Sequence, residues 1–384
     1  ACLGAPLLAE LGKTKLLVGA SLADATAKLA PFDLRYVYLS GGLFDGSSPC
    51  ATCASNCTGK GTSCKNGGAG CAWWGCWQYD QDPPGAYARN FFSTAQGNGE
   101  IPMITYYELL HTSGVNEGAP EVTQAATDPS VMTRYFADWR FLLQQIGSAT
   151  VVLHIEPDFW GYAEQTGQGA HALAAAVASA NPTDCGGVEN SIAGMGQCMI
   201  AMVRKYAPNA RVGLHASAWS TNIDVAENTN ATFDVAAEAQ KTAAFLVACG
   251  ADKSDFIVVE ASDRDAGYYQ SIGRSAWWDD TNQTLPDFHQ DFAWLKALSE
   301  AANVPLLDWQ LPVGNMSLPN TTQAWKDNRV DYFFGHTQEL AAAHLVGFAF
   351  GAGAGDPTTP ETGDGNLVAK TNAYAKSGGQ PLCP

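Results

Sequence analysis

Two patterns of apolar and polar positions alternate along the chain. Segments with apolar residues at helical spacing lie at 130–146, 233–248, 288–302, 337–345 and 366–377. Between them, short runs rich in aliphatic, β-branched and aromatic residues recur at 15–21, 34–41, 101–108, 150–156, 211–217, 255–261, 304–310 and 346–351. Such short apolar runs are typical of buried parallel strands, and the longer segments of amphipathic helices. Eight strand–helix units predict an α/β fold, a single closed (β/α)8 barrel.

The connections between the predicted elements differ in length at the two ends of the barrel. Helix-to-strand connections are short, at 147–149, 207–210 and 249–254, whereas strand-to-helix connections are long, at 42–82, 109–128, 157–170, 261–287 and 311–336. Barrel enzymes build their sites from the second kind of loop. An extra apolar run at 330–335 is predicted as a ninth strand within the loop after strand seven. We expect residues 1–384 to form one domain, with a Cys-rich insertion at about 42–82.

Polar residues interrupt the apolar runs near the ends of several strands. Because strand side chains point alternately to the helix layer and to the barrel interior, the pattern predicts which of them face inward. An ordinary core would not hold several unpaired carboxylates, since their burial is costly. The predicted inward set is Tyr38, His154, Glu156, His215, Glu260, Asp308 and Gln310.

Three of these inward residues are carboxylates at the ends of strands four, six and seven. Glycoside hydrolysis needs two carboxyl groups, one protonating the leaving oxygen and the other attacking the sugar or activating water. We expect Glu156 to be the general acid/base and Glu260 the nucleophile or base, with Asp308 as the alternative to Glu260. A structural role in ion pairs with a histidine or with Arg264 is the competing interpretation.

Aromatic residues cluster in the long loops that follow the strands. Flat aromatic faces stack on sugar rings, and polar side chains beside them fix the orientation of a bound sugar. The predicted substrate-binding residues are His154, His215, Tyr38, Tyr107, Trp160, Trp219, Gln310 and Trp278.

These residues resemble the broad superfamily of (β/α)8-barrel glycoside hydrolases. The shared features are acidic residues ending strands four, six and seven, together with tryptophan-rich loops. The resemblance implies a monomeric, endo-acting enzyme that cleaves a polysaccharide or oligosaccharide without a cofactor. The large retaining clan carries Asn-Glu at strand four and Glu at strand seven, where this chain has His154-Ile-Glu156 and Asp308. The DxxDxDxE run of chitinase-like barrels does not occur in this chain.

Two other functions fit the same strand ends. A metal-dependent barrel hydrolase or lyase would use His154 and His215, with Glu156 and Asp308 as further ligands. A barrel that binds glycans without cleaving them would need only the aromatic loops. The spacing of the histidines matches no known metal signature, so no metal is predicted.

Composition restricts the partners of the chain. The formal net charge is −17, which argues against nucleic acids and anionic membranes because both are bound through Lys and Arg. No apolar run reaches the roughly 20 residues that span a bilayer. A neutral glycan remains compatible with this charge.

The 11 cysteines indicate an oxidising compartment. Six of them fall between Cys50 and Cys76 without a histidine nearby, which favours a disulfide-stapled loop over a zinc site. We expect the further pairs Cys185–Cys198 and Cys2–Cys383, with Cys249 left unpaired. Secretion, extracellular or periplasmic, follows from this interpretation, and a lipoprotein anchor at Cys2 is its less favoured form.

Overall fold

The computed structural model describes residues 2–40, 77 and 85–382. Eight parallel strands form a closed barrel in chain order, with β1 pairing with both β2 and β8. Each strand overlaps one of the predicted apolar runs, so the predicted barrel is confirmed. The strands are β1 Leu17–Ala20, β2 Leu34–Leu39, β3 Ile101–Tyr106, β4 Val152–Ile155, β5 Arg211–Ala216, β6 Phe256–Val259, β7 Leu306–Leu311 and β8 Leu345–Phe350.

Helices follow the strands and surround the barrel. The clearest predicted helix begins where its cap was expected, because the Asp128 carboxylate accepts hydrogen bonds from the N–H groups of Ser130 and Val131. The helices are α1 Ala5–Glu10, α2 Asp24–Ala27, α3 Ala86–Gly97, α4 Leu109–Ser113, α5 Pro129–Ile146, α6 Phe159–Gln165, α7 Pro182–Cys185, α8 Ile192–Tyr206, α9 Val235–Ala248, α10 Ala266–Ser271, α11 Phe288–Ala302, α12 Arg329–Gly335, α13 Thr337–Ala342 and α14 Asn366–Lys376. None of the described helices is both long and apolar enough to cross a membrane.

The predicted ninth strand at 330–335 is wrong, because this run forms helix α12. Its place in the connection after β7 is as expected. Val330 and Phe333 lie three residues apart and are both fully buried, whereas Asp331 between them is exposed. The run therefore buries a helical face, and its aromatic, β-branched composition imitates a strand.

Two apolar clusters separate the inside of the barrel from its helix layer. The inner one contains strand residues such as Met103, Val152 and Val258, with Leu7 and Leu8 of α1 packed against them. The outer one joins the opposite faces of the strands to the helices. Positions 36, 154, 215 and 260 have the inward parity that the alternation predicts.

Strand β7 is the exception, and its predicted orientation is wrong. Leu307 and Trp309 belong to the inner cluster, whereas Leu306 and Leu311 pack in the outer one. Asp308 therefore has the parity of the helix side. Leu307 and Trp309 alternate with the polar Asp308 and Gln310 along β7. The prediction took the polar set as the inward one, whereas the apolar set packs inside the barrel. A register irregularity also interrupts the pairing with β8 between Asp308 and Leu311.

The disulfide predictions can be compared with the structure at four cysteines. Cys185 and Cys198 are bonded, and Cys249 is free and buried, both as expected. Cys2 is disulfide-bonded, while its expected partner Cys383 lies outside the described residues. The Cys-rich insertion at about 42–82 also lies outside them, apart from Trp77.

Gly213 in β5 is a position where the barrel wall has no room for a side chain. A Cβ there would lie 2.6 Å from the Phe256 ring and 2.7 Å from the Phe256 carbonyl oxygen. We expect Gly213→Ala to lower the free energy of unfolding by about 1–3 kcal/mol, as overpacking does, in urea denaturation. Gly187→Ala is the matched control, because no atom lies within 4 Å of its Cβ position. Equal losses for the two variants would contradict this packing.

Candidate active site

A cavity of about 760 Å³ lies at the C-terminal ends of the strands, the end that the long loops predicted. Tyr38 of β2 and residues that follow β3, β4, β5, β6, β7 and β8 contribute to its lining. Six carboxylates line it: Glu117, Asp158, Asp224, Glu227, Glu260 and Asp263.

Asp158, His215 and Glu260 meet at this cavity. One side-chain atom of each can be chosen so that all three lie within 4.8 Å of one another. His215 is fully buried, and the two carboxylates are partly buried. The Gln310 amide donates a hydrogen bond of 3.2 Å to Glu260 Oε1. Three adjacent strands, β4, β5 and β6, thus bring together two acids and one imidazole.

A second histidine lies behind the first. The distance from His154 Nε2 to His215 Nδ1 is 3.0 Å, and that from His154 Nδ1 to Thr105 Oγ1 is 3.2 Å. The edge of Trp309 packs against both imidazoles. His215 Nε2 is buried without a hydrogen-bond partner, so it is the nitrogen left for the two carboxylates. Burial lowers the pKa of both histidines, that of His215 to about 3, so both rings are neutral.

The carboxyl groups of Asp158 and Glu260 hold protons more tightly than usual. Burial is the main cause for both. Nearby carboxylates, Glu117 and Asp263 among them, raise the pKa of Asp158 further, to about 7, while Arg264 opposes this effect. The pKa of Glu260 is raised well above its usual value. Two crowded acids of this kind keep at least one proton near neutral pH, which is the state that acid catalysis needs.

Asp158 reaches the cavity because the backbone turns sharply after β4. The strand ends at Ile155, and Glu156 and Asp158 both have positive φ, 48° and 69°. Such values are uncommon for residues other than glycine and occur often at functional sites. The two-residue alternation that holds in β4 therefore stops at its end, which the sequence-based assignment of Glu156 did not allow for.

Glu156 lies in the barrel wall and does not line the cavity. Its Oε1 accepts hydrogen bonds of 3.1 Å from the N–H groups of Glu108 and Leu109 and one of 2.8 Å from the Tyr135 hydroxyl. The carboxyl group thus joins β4 to the start of α4 and to α5. Full burial raises its pKa to about 8.

Asp308 does not line the cavity either. It is 1% exposed, and its Oδ1 accepts a hydrogen bond of 2.9 Å from the N–H of Trp309. Burial, together with Asp291 of α11, raises its pKa. Its neighbours are groups of the helix layer, in agreement with the parity of β7.

Most of the predicted substrate-binding residues line the cavity. They are Tyr38, Tyr107, Trp219, Trp278 and Gln310. His154 lies beneath them, behind His215. Trp160 is the one that the structure places elsewhere: it is 1% exposed, packs in the outer cluster and donates its indole N–H to the Ile155 carbonyl. Helix α6 turns this side chain toward the helix layer, which proximity to a strand end does not reveal.

Several lining residues were not singled out from the sequence. Arg264 forms an ion pair of 2.7 Å with Asp263, and Arg274 one of 2.9 Å with Glu227. The available signal was that each follows a strand on the side of the long loops. A single sequence does not show how those loops fold back over the strand ends.

Asp158, His215 and Glu260 are also the one group among the described residues whose ligand atoms are close enough to hold a metal ion. One imidazole and two carboxylates beside open space are ligands that zinc or manganese accepts. The predicted pair of His154 and His215 does not form such a group, because Nε2 of His154 is hydrogen-bonded to Nδ1 of His215.

The sequence matches no protein-family model and no curated protein. Among solved structures, the chain is similar to ZgEngAGH5_4 in complex with a cellotriose, with 9% identity, a TM-score of 0.47 and coverage of 96% of this chain and 98% of that one. It is also similar to XEG5B, a xyloglucan-specific β-1,4-glucanase from a ruminal metagenomic library, with 14% identity, a TM-score of 0.45 and coverage of 78% of this chain and 79% of that one. The carboxyl transferase domain of Rhizobium etli pyruvate carboxylase matches with 8% identity, a TM-score of 0.41 and coverage of 98% of this chain and 49% of that one.

Burial of Glu156 predicts that the protein loses stability as the pH rises. The folded state raises the pKa of this group from 4.5 to about 8, so its contribution is fully present below pH 4.5 and is lost as the pH rises through 8. Glu156→Gln cannot ionise, and we expect its melting temperature to fall less between pH 5 and pH 8 than that of the wild type.

The exposed Asp280, in the loop after β6, provides the control for this measurement. Asp280→Asn should keep the slope of the wild type in the same thermal scans. An unchanged slope in Glu156→Gln would show that this carboxyl group does not hold its proton in the folded state.

Proposed function

We propose that this barrel is a glycoside hydrolase whose two catalytic carboxyl groups are Asp158 and Glu260. The observation that carries the proposal is the approach of these two acids to within 4.8 Å at a cavity on the C-terminal face of the barrel. One acid protonates the glycosidic oxygen, and the other attacks the anomeric carbon. The raised pKa of both groups supports a proton shared within the pair. The predicted role of Glu260 is kept, and Asp158 takes the role expected of Glu156.

The short separation of the two acids favours retention of configuration. Retaining enzymes hold their carboxyl groups about 5–5.5 Å apart, whereas inverting enzymes need about 6.5–9.5 Å to admit a water molecule. One oxygen of Asp158 lies within 4.8 Å of one oxygen of Glu260, an approach that supports the first class. The second acid is therefore a nucleophile, and the enzyme passes through a covalent glycosyl–enzyme intermediate.

The aromatic lining supports a sugar polymer as the substrate. The partly exposed Trp219 lines the cavity together with Tyr38, Tyr107 and Tyr162, and such rings stack on the apolar faces of sugars. We include endo-cleavage of a polysaccharide and secretion in the proposal. The disulfide between Cys185 and Cys198 supports an oxidising compartment.

The catalytic pair is tested by removing one ionisable group at a time. Asp158→Asn and Glu260→Gln should each lower kcat at least about 100-fold, as loss of an acid or base does. Released reducing ends on a panel of polysaccharides provide the measurement. Glu156→Gln is the matched control and should keep most of the activity, because this carboxyl group lies in the wall.

Loss of activity in the Glu156 and Glu260 variants with full activity in Asp158→Asn would restore the assignment made from the sequence. The nucleophile is identified by rescue. Azide should restore turnover in Asp158→Gly or in Glu260→Gly, and the anomeric configuration of the glycosyl azide shows which acid attacks the sugar.

A metal-dependent hydrolase is the second candidate, favoured by the unpartnered Nε2 of His215 beside the two acids. It predicts about one divalent ion per chain, at a site of this ligand set, by elemental analysis and loss of activity on chelation. The carboxylate mechanism predicts full activity after dialysis against EDTA. Bound metal that His215→Ala releases, together with restoration of activity by the same metal, would decide for this candidate.

A further inference from the structure

The charges around the cavity do not balance. Three arginines line it, and each already has an acidic partner. Arg264 is paired with Asp263 and Arg274 with Glu227, as described above. Arg329 pairs at 3.0 Å with the buried Asp327. No lysine contributes to the described lining, so its positive charges are already neutralised by the protein itself.

Besides Asp158 and Glu260, two lining carboxylates form no ion pair with a described residue. They are Glu117, in the loop after β3, and Asp224, in the loop after β5. Neither is one of the two proposed catalytic acids. In the sequence, Glu117 precedes β5, the strand that carries His215, and Asp224 follows it. The part of the lining formed by described residues therefore keeps an excess of negative charge after its three arginines are counted.

Glu117 lies at the edge of an aromatic pair. Its Oε1 accepts a hydrogen bond of 2.9 Å from the Tyr162 hydroxyl, and the Tyr162 ring packs against Trp219 with centroids 4.9 Å apart. Gly161 makes this packing possible, because a Cβ there would lie 2.8 Å from the Trp219 ring. A sugar stacked on this pair would have a carboxylate within reach of its ring substituents.

Asp224 is linked to a different kind of aromatic residue. Its carboxylate accepts a hydrogen bond from the N–H of Ala226, whose carbonyl in turn accepts the indole N–H of Trp278. The Trp278 ring is only 3% exposed, and the Arg329 guanidinium lies 4.4 Å from its centroid, so it offers no face for stacking. Glu117 is therefore the acid that accompanies accessible aromatic rings on the described lining. This combination is suited to a ligand with an apolar ring face and a positively charged substituent.

We propose that the substrate of this site is a glycan with free, positively charged amino groups, a polymer of hexosamine that is not N-acetylated. The inference rests on the proposed hydrolase function and specifies its substrate class. An ammonium group on the sugar would pair with Glu117, while the ring stacks on Tyr162 and Trp219. The net charge of −17 attracts a polycation over a longer range and repels a polymer of uronic acids.

Three hexasaccharides that differ only at C2 test this inference. Hexamers of β-1,4-linked glucosamine, N-acetylglucosamine and glucose carry an ammonium, an acetamide and a hydroxyl group there. Calorimetry with the Glu260→Gln variant at mildly acidic pH and low salt should give at least tenfold tighter binding of the glucosamine hexamer, weakened by added salt. Binding of a neutral hexamer with equal or greater affinity, or no binding of the glucosamine hexamer, would overturn the inference.

A charge-matched pair of variants locates the effect. Glu117→Gln, made in the same inactive background, should weaken binding of the glucosamine hexamer about threefold to fivefold, the range of an exposed ion pair. Asp252→Asn removes the same charge at the opposite end of the barrel, before β6, and should leave the affinity unchanged. Equal effects of the two variants would mean that only the overall charge matters and would overturn the proposed contact.

Wild-type activity separates this inference from the function on which it rests. Release of reducing ends from the glucosamine hexamer supports both. Tight binding without any cleavage supports the charge preference and refutes the hydrolase. Cleavage of neutral polysaccharides, with the glucosamine hexamer neither bound nor cleaved, supports the hydrolase and refutes the charge preference.

Discussion

The turn of the backbone after β4 determines which acid belongs to the cavity. Within the strand, side chains alternate between the barrel interior and the helix layer, and His154 follows that rule. At Glu156 and Asp158 the backbone adopts positive φ, and the alternation ends. Glu156 is thereby directed into the wall, where backbone N–H groups and a tyrosine hydroxyl hold it, and Asp158 comes to the cavity beside His215 and Glu260. Strain of this kind persists only where the surrounding structure enforces it.

Buried acids occur in the wall and the helix layer of the barrel as well as at the cavity. Glu156 packs against α5, while Asp308 and Asp291 lie together near α11. Burial raises the pKa of all three, so these groups favour the protonated form. In that form they behave as neutral polar groups inside the wall. The same physical cause acts on the two acids of the cavity, with the difference that open space there allows a ligand to change their charge.

The barrel could be predicted from the sequence because the pattern of an apolar run followed by a helix is repeated eight times. Each apolar run and each loop adds to the same conclusion, so an error at 330–335 did not alter the fold. The site depends on single residues. His215 and Glu260 could be placed because β5 and β6 alternate regularly up to their ends. Asp308 was placed wrongly because the polar set of β7 was taken as its inward face. Asp158 could not be placed, because its position depends on a turn that alternation does not describe.

The paired imidazoles behind the cavity have a further consequence. Both rings are neutral, so each imidazole carries one N–H proton. The 3.0 Å hydrogen bond between His154 Nε2 and His215 Nδ1 uses only one of these two protons. If His154 donates in this contact, Thr105 donates to His154 and His215 Nε2 carries a proton toward the acids. If His215 donates instead, Thr105 accepts and Nε2 is bare, which suits a protonated carboxyl group. The direction of the Thr105 hydroxyl is therefore coupled to the ionisation of the cavity acids. The coupling passes through the tautomers of the two histidines, and Thr105 itself does not contact the acids.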